Sequence, residues 1–511
     1  MRSRRYLGGR DAFGDFQSER TCCWTPIVRP RAARRPNSPL SVCPHSPVGT
    51  QTEGQTRKVS IITLRYQNIL VAKLDRGNLG LRSTLEAVEL NKSSIDRIYH
   101  FVLSYSPTFP KYEIKNLKLS SSSFILDPFS GTGTTLVVAK KNGIRSMGIE
   151  ANDFCHWISN VKLNWDVDVE EFRKLYRLID NELNEKFSFF EKTYKTNKTL
   201  FSETIREFKE RWNSRKLLLK DHISDLPLLK LLFLKELIIS KKASSGVKDL
   251  LLCCFAAIVT PSSNIKFGPT PGRGKIKSDA KVRELFLSKC SDTADDLELV
   301  GKKHLLSEVI LGDARDPSIY QERGGFDAII SSPPYPAEHE YTRHTRLEMI
   351  LLDMVTENLD LRNIKKRMIT GSTRNVYKGD NEAELVFHHA KINRVINDIS
   401  KEVEKSRFRE DGSIRELSGF EKLYSKTVAE YFGGMKTVLT NLLTALNEGG
   451  VVSLLVGDSR TYKLVHIPTA QILGEIAKEV GFKRVEIELW RNNVSTAHKL
   501  DLNENVLRLF K

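Results

Sequence analysis

Long apolar runs are missing from the sequence, which contains no stretch of about 18 apolar residues able to span a membrane. Its most apolar segment, residues 250–259, is too short for that and is typical of a buried helix. The first residues are basic, but no apolar core follows them, unlike a secretory signal. We therefore expect a cytoplasmic protein without a membrane partner.

Cysteine is scarce and its spacing is uninformative. None of the seven cysteines forms a C-x-x-C pair, and no cysteine and histidine cluster has the spacing of a zinc site. Reduced cysteines and no bound metal are the expectation, as in most cytoplasmic proteins.

Methionine is rarer still, and Met147 is the first one after Met1. Residues 1–58 are rich in Arg, Pro, Ser, Gly and Thr and have no apolar periodicity, which predicts a disordered tail. A non-ATG start codon between residues 59 and 72 would make this tail an artefact of the gene model. The intact mass of the native protein would test that interpretation.

Acidic residues are too few to balance the basic ones. Lys and Arg number 80 and Asp and Glu 63, which gives a net charge of +17. Such an excess favours polyanions, either nucleic acid or an anionic membrane, although an ordinary solvated surface can also be basic. Residues 1–60 hold eleven basic and four acidic residues, so the rest of the chain is only mildly basic.

Segments typical of strands and helices alternate from about residue 85 onward. The helices between the strands predict a mostly parallel, doubly wound α/β sheet, and the last two strands predict a hairpin with one antiparallel strand. Residues 155–300, helical and Lys-rich, and residues 355–430, polar and charged, interrupt this pattern as insertions. The seven predicted strands are residues 124–127, 146–150, 307–311, 326–331, 450–458, 483–489 and 505–510.

A glycine-rich loop follows the first predicted strand. Residues 127–135, D-P-F-S-G-T-G-T-T, end that strand and open a helix, as in a nucleotide-binding turn. Gly131 and Gly133 allow the backbone to bend sharply and to approach a ligand. Glu150 ends the second strand, where an acidic residue can bind a ribose diol.

The third glycine of a dinucleotide-binding turn is missing, because Leu136 occupies its position. No tight place for a pyrophosphate remains, so a ligand with ribose and adenine but no phosphate, such as S-adenosylmethionine, suits the loop better. Asp127 can pair with the ammonium group of such a ligand. Thr134 and Thr135 can bond free amides in the first turn of the helix.

A second loop, S-S-P-P-Y at residues 331–335, follows the strand at 326–331. Its two prolines fix φ and make it stiff. The carbonyl next to Pro333 and the hydroxyl of Ser332 can accept hydrogen bonds from an amino group, which localises the lone pair on its nitrogen. Tyr335 can stack on the base that carries this amine, and a base in a duplex must flip out to reach it.

Together the two loops resemble motifs I and IV of the DNA amino-methyltransferases, the N4-cytosine and N6-adenine enzymes. The glycine loop resembles their D-P-F-x-G-x-G-T-T nearly residue for residue. S-P-P-Y resembles the cytosine branch more than the adenine branch, which usually carries Asp or Asn before the prolines. Residues 311–314, L-G-D-A, resemble a third motif, whose Asp contacts the cofactor's adenine. The glycine loop comes first here, whereas the S-P-P-Y half usually comes first in the cytosine enzymes.

The resemblance covers roughly residues 95–155 and 305–511. It implies a Rossmann-like, seven-stranded, S-adenosylmethionine-dependent methyltransferase sheet with a helical insertion, and a catalytic domain formed by residues 85–155 and 305–511. The implied catalytic residues are Ser332, Pro333, Pro334 and Tyr335. The implied cofactor-binding residues are Asp127, Phe129, Gly131, Gly133, Thr134, Glu150 and Asp313.

The reaction implied is transfer of a methyl group from S-adenosylmethionine to the exocyclic amine of a flipped base in double-stranded DNA, with N4 of cytosine favoured. An N6-adenine DNA methyltransferase and an RNA amino-methyltransferase of the same fold remain alternatives, as does a non-catalytic nucleic-acid-binding module. A restriction endonuclease is an expected partner, although no endonuclease motif stands out in the chain.

Contacts to DNA are expected mainly from the insertions. Residues 156–304 are the candidate DNA-recognition region, and Lys275 and Lys277 lie there in a basic loop rich in glycine and proline. Arg343 and Arg346 follow the S-P-P-Y loop closely, and Arg374 belongs to a third basic group.

Overall fold

The computed structural model describes residues 95–511 apart from 267–270, 322–324 and 495–499, and only the backbone of residues 493 and 494. These residues all belong to one unit of the chain, Gln67–Lys511. The other unit, Met1–Tyr66, and with it the predicted tail at 1–58, lies outside the described residues.

Nine strands occur in the described part of the chain. Their bounds are β1 Phe124–Asp127, β2 Arg145–Glu150, β3 Ile265–Lys266, β4 Gly272–Arg273, β5 Ser307–Leu311, β6 Phe326–Ser331, β7 Leu446–Gly457, β8 Arg484–Val494 and β9 Asp501–Phe510.

Fourteen α-helices accompany these strands over the same described ranges. Their bounds are α1 Thr108–Asn116, α2 Thr134–Lys141, α3 Asp153–Leu163, α4 Val169–Thr196, α5 Lys198–Arg211, α6 Asp225–Ser240, α7 Ser245–Ser262, α8 Val282–Val300, α9 Ser318–Gln321, α10 Tyr341–Leu351, α11 Asn358–Lys366, α12 Ala390–Lys405, α13 Tyr424–Ala445 and α14 Thr469–Val480.

Seven strands form one sheet in the order β5-β2-β1-β6-β7-β9-β8. The first five run parallel, and β9 is antiparallel to both of its neighbours, β7 and β8. This confirms the predicted Rossmann-like, seven-stranded α/β sheet with a helical insertion. The carboxyl ends of β1, β2, β5 and β6 consequently lie at one edge, where ligands bind in sheets of this type.

The strands of the last hairpin are longer than their apolar runs predict. β8 extends to Val494 and β9 begins at Asp501, and Arg491 pairs with Glu504 within this extension. The register of a ladder is carried by backbone hydrogen bonds, so polar residues can continue it beyond the apolar pattern. β9 also lies inside the sheet, although it is the last strand in the chain.

A buried ion pair fixes α1 to this last strand. Glu113 of α1 is completely buried, and its carboxylate accepts from Arg508 Nη2 at 2.6 Å and from Arg508 Nε at 3.0 Å. The hydroxyl of Ser453 on β7 donates to the same carboxylate at 2.7 Å. A buried charge needs such partners, because an unpaired one is costly.

The helical insertion, α4 to α8, packs against the helix that follows the S-P-P-Y loop. The indole of Trp212 donates to the carbonyl oxygen of Ile350 at the end of α10, at 3.1 Å. Within the insertion, α7 is long and apolar enough to cross a membrane by length and composition, but 56% of that stretch is buried inside the protein. Residues 250–259 of α7 are helical and mostly buried, as their composition predicts.

Candidate active site

A cleft opens at the edge of the sheet where β1, β2, β5 and β6 end. The loops after these strands line it, together with residues 101–105. Asp127, Gly133 and Asp313 are not among the residues that line it. The predicted site residues on the wall are Phe129, Gly131, Thr134, Glu150, Ser332, Pro333, Pro334 and Tyr335.

Asp127 connects three segments around the cleft. Its Oδ1 accepts from the Ser331 hydroxyl at 2.6 Å and from the Phe129 amide at 3.1 Å, and its Oδ2 accepts from the Tyr105 hydroxyl at 3.0 Å. The side chain is fully buried, and burial raises its pKa to about 6 against the opposing effect of these hydrogen bonds. Asp127 therefore has three protein hydrogen-bond partners, and its pairing with the ammonium group of a cofactor stays a prediction.

The two glycines of the loop have different surroundings. Both have positive φ, +53° at Gly131 and +86° at Gly133. A Cβ on Gly131 would meet no heavy atom within 4 Å, so this backbone is open to a ligand. A Cβ on Gly133 would lie 2.4 Å from the Ser159 hydroxyl oxygen on α3. Gly133 thus packs closely on α3, and the approach of its backbone to a ligand stays a prediction.

The threonines after the glycines do not act as predicted caps. α2 begins after Gly133 without a side-chain cap. The hydroxyl of Thr135 contacts the Tyr105 hydroxyl and donates to the Ile330 carbonyl on β6 at 3.3 Å. Thr134 is buried on the wall of the cleft. The contacts of Thr135 therefore connect the glycine loop to β6 and to Tyr105.

Glu150 lies on the wall at the end of β2. Its Oε2 accepts from the Gly131 amide and its Oε1 from the Asn152 amide, each at 2.7 Å. Burial raises the pKa of this carboxyl to about 7. A carboxylate oxygen can accept more than one hydrogen bond, so ribose hydroxyls can still be accepted here.

Asp313 has an ion-pair partner beside the cleft. Its Oδ2 lies 2.6 Å from Nη2 of Arg315. Nη1 of the same arginine pairs with Glu382 Oε1 at 2.8 Å. The residues on either side of Asp313, Gly312 and Ala314, line the cleft. The structure thus brings the backbone of this predicted motif to the cleft and directs the carboxylate toward Arg315.

The S-P-P-Y loop packs against β7. The Ser332 hydroxyl donates to the Leu455 carbonyl at 3.0 Å and lies 3.2 Å from the Tyr335 hydroxyl. The Tyr335 ring packs so closely on Gly457 that a Cβ there would lie 3.0 Å from it. These contacts fix the ring at the cleft wall.

Residues of the last hairpin complete the site. The Tyr335 hydroxyl donates to Glu504 Oε1 on β9 at 3.1 Å, and Glu504 Oε2 lies 2.6 Å from Arg491 Nε on β8. Glu504 and Arg491 line the cleft, yet no sequence motif identifies them. The carboxylate of Glu504 and burial raise the pKa of Tyr335 well above its usual value, burial being the larger cause.

The predicted DNA-contacting residues fall into separate places. Arg343 and Arg346 on α10 line a second groove, which also includes residues 271–273 of the basic loop. Lys275 is exposed, and Lys277 Nζ donates to the Pro261 carbonyl at 2.6 Å. Arg374 is exposed and lies over the Phe420 ring, 4.8 Å from its centroid, and does not line that groove.

Comparison with known proteins adds independent information. A family model of the N6/N4 type described as DNA methylase matches residues 98–160, a range that contains the glycine loop and Glu150. The chain is 23% identical over 432 residues to the Type II methyltransferase M.BsoBI of Geobacillus stearothermophilus, covering 79% of this chain and 82% of that protein. It is 24% identical over 166 residues to the Type II methyltransferases M.AvaI of Nostoc sp. and Anabaena variabilis, covering 32% of each chain.

Proposed function

Because the chain belongs to the DNA amino-methyltransferase family, we propose that it transfers a methyl group from S-adenosylmethionine to the exocyclic amine of a flipped DNA base, N4 of cytosine. One observation carries this proposal. The glycine loop and the S-P-P-Y loop line a single cleft, and the 2.6 Å hydrogen bond from Ser331 to Asp127 joins the strands that carry them.

The residues on the glycine-loop side fit the cofactor. Gly131 leaves open space beside the backbone, Glu150 offers carboxylate oxygens for ribose hydroxyls, and Phe129 adds an apolar surface. Thr134 completes this side of the wall. Bound S-adenosylmethionine supplies a methyl group on a positively charged sulfur, so the amine needs only an available lone pair.

The S-P-P-Y side is suited to present that amine. Pro333 and Pro334 stiffen the loop, so the carbonyl before Pro333 is held in place to accept an N–H from the amine. This keeps the nitrogen lone pair out of the ring. As the nitrogen gains the methyl group, the bond from methyl carbon to sulfur breaks, the neutral thioether leaves, and the proton that the amine loses passes to water. Tyr335, held by Ser332 and Glu504, gives the base a flat face to stack on.

Ser332 before the two prolines supports cytosine over adenine. Residues 156–304 belong to this proposal as the DNA-recognition region, with Lys275 as an exposed phosphate contact, together with Lys277 and Arg374. The designation of the relatives as Type II methyltransferases supports a restriction endonuclease as functional partner.

Nucleoside mass spectrometry of DNA from a host that expresses the chain tests the proposal. N4-methylcytosine is expected with the unaltered chain, and neither methylated base with the control Gly131→Asp, which places a charged side chain in the cofactor space. N6-methyladenine would favour the adenine alternative. Absence of both bases, with folded protein in the cells, would contradict the proposal.

A further inference from the structure

A second groove lies beside the reaction cleft and is built from two distant parts of the chain. One side is the turn at residues 271–273, which belongs to the basic loop of the helical insertion. The other side is α10, which presents Arg343, His344 and Arg346. Arg343 Nη2 lies 3.5 Å from the Pro271 carbonyl oxygen, so the two sides are in contact.

The arginines of this groove have few acidic partners. Arg273 Nη1 pairs with Asp221 Oδ2 at 3.1 Å. Over the ranges that the structure describes, neither Arg343 nor Arg346 has an ion pair, and the Nε of Arg346 is buried without a hydrogen-bond partner. Two guanidinium groups thus line the groove without an ion pair, and the acid that acts on Arg346, Glu340, does not line the groove.

The charge of the groove comes from arginine. Burial lowers the pKa of His222 on the groove wall, and the charges of Arg346, Arg273 and Arg343 lower it further, so this imidazole is neutral near pH 7. The acid in the groove, Glu348, accepts from the Thr260 hydroxyl at 2.7 Å, and burial raises its pKa to about 7.

The groove adjoins the reaction cleft through shared elements. Tyr341 begins α10 and lines the cleft, whereas Arg343 and Arg346 on the same helix line the groove. The ring of His344 in the groove meets the ring of Phe101 in the cleft edge to face, with centroids 6.5 Å apart. A strand whose base enters the cleft therefore has its backbone close to the groove.

We propose that this groove binds a backbone phosphate of the DNA strand that carries the target base. The inference rests on the proposed function and adds a site to it. A guanidinium presents a planar set of donors that matches phosphate oxygens, and two of them converge here. Phosphate contacts fix the register of a duplex on a protein, which a flipped nucleotide requires.

Salt-dependent DNA binding tests the site in Arg343→Gln, Arg346→Gln and the double variant. Each neutralised phosphate contact contributes about 0.9 to the slope of log affinity against log salt. Because one phosphate contact is lost, we expect the double variant to lower the slope by about one and each single variant to lower it by less. Cofactor affinity measured by calorimetry should not change. Arg394→Gln, an exposed arginine on α12 outside both clefts, is the matched control and should keep the slope.

A double variant that is folded and keeps the wild-type slope would overturn the proposal that the groove binds a phosphate. If the glutamine variants do not fold, wild-type protein can be titrated with a duplex whose phosphates around the methylated base are replaced one at a time by neutral methylphosphonate. One such position should lower the slope by about one, and an unchanged slope at all positions would overturn the proposal. Wild-type protein that binds no DNA would instead contradict the proposed function.

Discussion

The Ser331 hydroxyl donates a 2.6 Å hydrogen bond to the Asp127 carboxylate and thereby joins the ends of the paired strands β6 and β1. Each strand continues into one of the two loops that line the cleft. The distance between those loops is therefore set by a buried, charge-assisted contact, the stronger kind of hydrogen bond. A change at either residue should be felt on both sides of the cleft.

Ser331→Ala removes a donor from a buried carboxylate. We expect the free energy of unfolding to fall by about 1–3 kcal/mol, the typical cost of an unmet hydrogen bond at such a group. Ser332→Ala is the matched control, because its hydroxyl donates to a neutral carbonyl, and such a bond contributes only about 0.5–1.5 kcal/mol. Urea unfolding of both variants measures the difference. Equal losses would show that the hydrogen bond from Ser331 to Asp127 contributes no more stability than a bond to a neutral carbonyl.

Gly131→Ala and Gly133→Ala should differ in kind. Both place alanine at positive φ, which costs roughly 1 kcal/mol, but only at Gly133 does the new Cβ clash, with Ser159. We expect Gly133→Ala to be clearly less stable in urea, and Ser159→Ala to rescue part of that loss. Gly131→Ala should fold well and bind S-adenosylmethionine more weakly in calorimetry. Unchanged cofactor affinity in folded Gly131→Ala would argue against the cofactor assignment.

The raised pKa of Glu150 should make the free energy of unfolding and the cofactor affinity change in opposite directions with pH. Its folded pKa of about 7 lies above the ordinary value of 4.5, so the native state holds a proton that the unfolded state releases between these values. The free energy of unfolding should therefore fall as pH rises from 4.5 to 7, and Glu150→Gln should lack this part of the slope. Cofactor affinity should rise over the upper part of this window, because the carboxylate accepts hydrogen bonds better than the acid. A pH-independent affinity that matches Glu150→Gln would contradict the ribose contact.

Tyr335→Ala should lower single-turnover methyl transfer by roughly one to two orders of magnitude, since stacking contributes about 1–3 kcal/mol per base. Tyr335→Phe keeps the ring and loses only the hydrogen bonds of the hydroxyl, to Glu504, Ser332 and the Leu455 carbonyl, so it should retain most of the activity. Pro334→Ala should reduce activity by loosening the loop. Cofactor affinity, measured in parallel, should stay near wild type in all three. Normal turnover by Tyr335→Ala would show that the S-P-P-Y loop only ends a strand and does not hold the target base.

The sequence predicts those structural elements whose signal lies within a few consecutive residues. The strands follow from apolar runs, and both cleft loops follow from glycine or proline patterns beside a strand. The partners of Asp127 do not, because Tyr105 and Ser331 are brought to it by the fold. Glu504 has no local signal either, since it reaches the cleft only because β9 inserts next to β7.

The packing of Gly133 on α3 has no signal in its motif. A glycine beside a ligand and a glycine beside a helix look the same in sequence, and only the position of Ser159 separates them. The arginine groove is a similar case, because Arg273 belongs to the helical insertion and Arg343 to the helix after the S-P-P-Y loop, and the two meet only when α10 packs on the basic loop.

The ion pair between Glu113 and Arg508 has a consequence for biosynthesis. A ribosome makes α1 long before it makes β9, so the emerging chain holds an acid at position 113 whose cation does not yet exist. Burying that acid alone is costly, and we expect α1 to remain undocked until translation reaches residue 508. During this interval the apolar surface beneath α1 is open to chaperones and to neighbouring nascent chains, as in other proteins that rely on distant contacts.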